Sequence, residues 1–163
     1  MPLKSDSYYR ELVDRTLRDD GVAEPPVDLA PVLSRLGLPI VPACLPAWFK
    51  GALVYEDGMP VLLVNETIGE QARRDAIAHM VSHLLVRLED PDVPYPRAHP
   101  DHRVADAMRD EFRMPGYLVI EQSARWFNDY RYLARLFAVS EGEMLSRMRE
   151  LGLVKRAGVD WDY

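Results

Sequence analysis

Cysteine is nearly absent: Cys44 is the only one in 163 residues, so no internal disulfide forms and a cysteine-rich zinc site is excluded. An excess of basic charge is missing too. Twenty basic side chains stand against 26 acidic ones, a net charge of −6, and such a chain is a poor electrostatic match for a phosphate backbone. Direct nucleic-acid binding is therefore not expected. No apolar run approaches the roughly 18 residues that a membrane span needs, so no membrane association is expected. The opening Met1-to-Arg10 stretch lacks an apolar core of signal-peptide type, and a cytoplasmic location is the expectation. Internal repeats and low-complexity tracts are lacking as well. What remains is an ordinary globular composition, 48% apolar and 28% charged, at a length that favours one domain over 1–163.

Apolar periodicity predicts a helix over 8–18, with Tyr8, Leu12, Val13 and Leu17 on one stripe. Asp28 is placed to cap a second short helix whose apolar face is Leu29, Val32, Leu33 and Leu36. The Leu38-to-Pro42 piece reads as extended, its prolines confining it to an edge or a loop border. Gly51–Tyr55 and Val61–Val64 flank an Asp-Gly turn and predict a hairpin. The longest helix is expected from Glu66 or Thr67 to about Leu88, with Ile77, Met80, Val81, Leu84 and Leu88 as its stripe. A proline-rich loop follows. Further helices are expected over 101–114 (burying Val104, Ala105, Met108 and Phe112), 128–137 and 140–151, with Pro115-Gly116 as a stop. The fold class is α+β, mostly helical around a small sheet.

Four histidines are present: His79, His83, His99 and His102. His79 and His83 are four apart on the long helix, so they share a face and suit one tetrahedral metal. Asp75, one turn earlier, is placed to hold an imidazole tautomer. His102, in the first turn of the next helix, would add a third ligand, with Asp106 one turn behind it. His99 is the competing candidate from the loop. The plain alternative is a pair of ordinary half-buried histidines and an exposed third.

Arg73-Arg-Asp-Ala-Ile-Ala-His79-Met-Val-Ser-His83 resembles the zinc helix of the ImmA/IrrE family of bacterial metallopeptidase-like proteins, which carries HExxH. Val61-Leu-Leu-Val-Asn65 is similar to the strand before that helix. His102-to-Asp106 through Met114-Pro115 is similar to the family's following ExEAN…LLMP segment. Leu133-to-Ser140 through Arg147-to-Leu153 is similar to its closing helix pair. The resemblance covers about 8–155 and implies a zincin-like domain whose small sheet packs on the metal helix. It carries His79 and His83 over as zinc ligands, and His102 by position only.

Two departures stand out. Met80 replaces the glutamate that would act as general base, and His102 replaces a glutamate expected as third ligand. Glu111, Glu121 and Glu66 are the remaining carboxylates that could reach the site, with nothing in their spacing to select one. Trp48 and Phe49 on one side, and Trp126 and Tyr130 on the other, are candidate walls of a partner groove. The resemblance implies a regulatory protein with a degenerate zinc-peptidase site that binds an Xre-type helix-turn-helix repressor without efficient cleavage. The alternatives are an active zinc peptidase with a displaced base, and a DNA-binding regulator using the last two helices. Residues 125–163 hold seven basic and six acidic side chains, which is no basic patch. Cys44 is expected as a small buried apolar residue, and the Asp160–Tyr163 end as a frayed tail.

Overall fold

The computed structural model describes residues 3–92 and 102–155. The proline-rich stretch over 93–101, with His99 and the expected helix start at Asp101, lies outside the described residues, as does the Asp160–Tyr163 end. The element order is α1 (Asp6–Asp19), α2 (Ala30–Arg35), β1 (Ile40–Ala43), β2 (Gly51–Glu56), β3 (Met59–Asn65), α3 (Glu70–Glu89), α4 (His102–Arg113), α5 (Gly116–Arg125), α6 (Tyr130–Phe137) and α7 (Glu141–Glu150). The class is α+β, as the sequence indicates.

Helix α1 starts where the Ser5 side chain accepts from the Tyr8 amide, and it buries Tyr9, Leu12, Val13, Thr16 and Leu17. Tyr9, not Tyr8, is the fully buried aromatic. Both phenols instead tie α1 to the end of α3: Tyr9 Oη donates to Asp90 at 2.9 Å, and Tyr8 Oη donates to Glu89. Leu29, not Asp28, is the N-cap of α2; Asp28 stands one residue earlier and accepts from the Ala30 amide at 2.9 Å, and Pro31 sits in the first turn, where its missing N–H costs nothing.

The sheet has the order β1-β3-β2, with β1 parallel and β2 antiparallel to β3. Asp57 and Gly58 both have positive φ, 49° and 80°, the geometry of a two-residue turn whose twist matches the strands. Alternation puts Leu62 and Val64 on the inner face, fully buried against the helices. Pro42 lies on the edge strand β1, where its lack of a donor is tolerated. The fully buried Asn65 ends β3. Its Nδ2 donates to the carbonyls of Leu45, Pro46 and Phe49, and its Oδ1 accepts from Thr67, which pins the loop before β2.

Helix α3 begins at Glu70 behind Gly69, later than the sequence suggests. From Ala76 to Val86 every side chain is buried except His79. This is no single stripe but a helix enclosed by β2, β3 and α4. Leu88, placed on the stripe by periodicity, is 59% exposed, because the enclosure ends before the last turn.

Pro115 and Gly116 do not stop the helical run for long; they open α5, with Pro115 as N-cap. A residue with φ fixed near −60° suits a helix start as well as a stop. Two cores result. The larger joins α1, α2, the sheet, α3 and α4, and the smaller joins α5, α6 and α7 around Leu118, Leu133, Phe137, Met144 and Met148. Cys44 is exposed, contrary to the expectation of burial, because it lies in the loop after β1.

A candidate metal centre of three histidines

Helix α3 carries His79 and His83 one turn apart, and α4 packs along it so that its first residue, His102, reaches the same point. His79 Nε2 lies 2.9 Å from His83 Nε2 and 3.2 Å from His102 Nδ1. One ligand nitrogen from each imidazole falls within 4.8 Å of the other two. Three nitrogens about 2.0–2.1 Å from a tetrahedral ion would stand roughly 3.3 Å apart. Both distances from His79 are near that value.

The tautomer of His79 follows from its neighbour on α4. His79 Nδ1 lies 3.1 Å from Asp106 Oδ1, so that nitrogen carries the proton and donates it, leaving Nε2 with its lone pair toward the other rings. Asp106 Oδ1 also accepts from Arg109 Nη1 at 3.2 Å. Arg109 in turn is held by Asp110 at 2.9 Å. Sequence reasoning missed Arg109, although its spacing of three residues from Asp106 on one helix was the available signal.

Burial, opposed in part by Asp106, lowers the pKa of His79. Burial, and then the neighbouring His79 and His102, lowers His83 to about 4. Both rings are therefore neutral at pH 7, the form that binds a metal. The donor set of three imidazoles with a carboxylate behind one of them fits zinc and leaves a fourth position open.

The other expected site residues fall elsewhere. The Asp75 carboxylate meets Arg113 Nε at 2.7 Å, and Asp106 occupies the tautomer-holding role that Asp75 was expected to fill. Met80 is 4% exposed and points toward the sheet, where a Cβ at Gly51 would stand 3.0 Å from its Cε. No group at that position exchanges a proton. Glu111 is 3% exposed, with Oε1 accepting from the Gly116 amide at 2.8 Å and Oε2 paired with Arg147, so neither oxygen is available as a base. Glu121 pairs with Arg125 on α5, and Glu66 is exposed beyond β3.

Trp48 is 81% exposed, its ring edge-on to Phe49 in the loop that Asn65 pins. Trp126 stacks on Tyr132 instead of Tyr130, and Phe127 beside it is 93% exposed, so this cluster is more surface than core. Tyr130 packs against the smaller core.

No described helix is long and apolar enough to cross a membrane. No protein-family model matches the chain, and no curated protein matches it. A solved structure of a Mycobacterium tuberculosis transcriptional regulator has a similar fold, with a TM-score of 0.62 at 18% identity over 87% of this chain. The chain spans 46% of that regulator's length. At this identity the likeness shows the fold alone.

Proposed function

We propose that this chain is a regulatory domain of the ImmA/IrrE type that holds zinc on His79, His83 and His102 and binds an Xre-type helix-turn-helix repressor without cutting it efficiently. The observation that carries the reading is the meeting of three imidazole nitrogens beside a residue, Met80, that accepts no proton. When bound, zinc would supply Lewis acidity at its open position. What the chain itself supplies is a set of three imidazoles, of which His79 is oriented by Asp106. At position 80 it supplies no general base, a group typically contributing about 10²–10⁴ in rate. The regulatory part of the reading is supported by the fold shared with a transcriptional regulator and by the sequence resemblance. An acidic chain also complements a basic DNA-binding partner.

Metal analysis of untagged protein is the first test. About one zinc per chain is expected, lost in His79→Ala and in His102→Ala. No metal after zinc is offered would end the metal reading. Mixed with a candidate helix-turn-helix repressor, the zinc-loaded protein is expected to co-elute with it intact. Cleavage that stops on chelation would replace the binding role with a peptidase.

A further inference from the structure

A half-open cavity of about 240 Å³ lies where α2, the first turns of α3, and the ends of α4 and α6 come together. It sits at the junction of the two cores: Phe112 belongs to the larger and Phe137 to the smaller. Ile77, Ala78, Phe112 and Phe137, none more than 8% exposed, form its apolar lining, with Leu33 and Ile40 at the side. Protein interiors seldom leave such a gap, because the lining atoms lose their contacts on one side.

The charges around it are unequal in their commitments. Of five charged side chains on the wall, four are engaged. Asp28 accepts from the Ala30 amide, Glu70 pairs with Arg74 at 3.8 Å, and Arg113 is held between Asp75 at 2.7 Å and Glu143 at 2.8 Å. Arg73 has no side-chain hydrogen bond or ion pair among the described residues. Beside it Glu70 and Gln71 bring the first turn of α3 to the wall, and the N-cap of that helix, Gly69, has no side chain to accept from its amides.

We propose that this cavity binds a small monocarboxylate with an aromatic or branched aliphatic body. The body lies among Ile77, Ala78, Phe112 and Phe137, and the carboxylate meets the Arg73 guanidinium. Size supports this: a dry cavity of about 150 Å³ takes benzene, so this one has room for a phenyl ring and a short acidic arm. Charge sets the class. A guanidinium at the edge of an apolar cavity favours an anion over a neutral isostere. A single uncommitted cation flanked by Asp28 and Glu70 disfavours a dianion such as a phosphate monoester. The occupant would press on the turn of α3 that ends in His79.

The test is calorimetric titration of the full chain with phenylacetate, phenylacetamide and phenyl phosphate. Phenylacetate is expected to bind saturably, at least about tenfold more tightly than the amide or the phosphate. Arg73→Gln, with its thermal unfolding checked, is expected to remove the preference for acid over amide. Ala30→Phe, on the exposed rim, is expected to weaken both ligands. Equal binding of acid and amide, a preference that survives Arg73→Gln, or no saturable binding up to about 10 mM would each overturn the proposal. None of these readouts involves metal, so they stand apart from the outcome of the metal analysis.

Discussion

At the scale of single residues, the centre depends as much on Asp106 as on the imidazoles. Its hydrogen bond to His79 Nδ1 selects the tautomer and fixes the ring. Asp106→Ala is expected to weaken zinc affinity by roughly 10–100-fold while leaving the stoichiometry unchanged, as read by competition with a chromophoric chelator. A second residue, Asp14 on α1, stands beside the Glu111–Arg147 pair. Burial, and then Glu111 beside it, raises its pKa to about 7. Its ordinary value is 3.8, so the folded state holds the extra proton between those limits, and stability falls as pH rises from about 4 to about 7. Asp14→Asn is expected to stabilise the protein at pH 8 by on the order of 1 kcal/mol, after allowance for solvent screening, and to have little effect at pH 3.5. Urea midpoints at the two pH values check it; an equal gain at both would show that Asp14 is not the titrating group.

Secondary elements follow local chemistry where the signals are strong. The Asp57-Gly58 turn and the Ser140 cap are both legible from residue type alone. At α7 the Ser140 side chain accepts from the Glu143 amide, and the Glu143 side chain accepts from the Ser140 amide, closing a reciprocal capping box. Ser140→Ala is expected to cost about 1 kcal/mol, measured as a shift in the urea midpoint at neutral pH. Glu143 also binds Arg113, which helps lower its pKa to about 2, so the same residue links α7 to α4. Where local signals were ambiguous the elements came out differently. Pro115-Gly116 reads equally as an end and as a beginning, and α5 was not legible for that reason. The apolar stripe assigned to α3 understates its burial. A stripe describes a helix on a surface, and this one is central.

Over the whole molecule, the candidate metal site joins two helices that the chain separates by residues 90–101. A ligand that binds the folded state alone stabilises it by mass action. Zinc at about 100 times its dissociation constant is expected to add about 2.7 kcal/mol, seen as a rise in the thermal midpoint that a chelator reverses. His102→Ala should abolish most of that rise, since it removes the only ligand contributed by α4 among the described residues. A rise that persists in this variant would place the binding elsewhere.

Sequence alone determined the hairpin and the helical segments other than α5, the shared face of His79 and His83, and the lack of a base at position 80. Each of these depends on spacing within one element, and helix and strand periods are fixed by backbone geometry. Only the tertiary structure decided that His102 completes the cluster, that Asp106 and not Asp75 meets His79, and that Glu111 is locked to Arg147. Those outcomes depend on how α4 lies against α3, α5 and α7. That placement is set by the packing of Val104, Met108 and Phe112 into the larger core and of Met114 and Leu118 into the smaller. Packing acts across long separations in sequence, where a pattern read along the chain carries no distance.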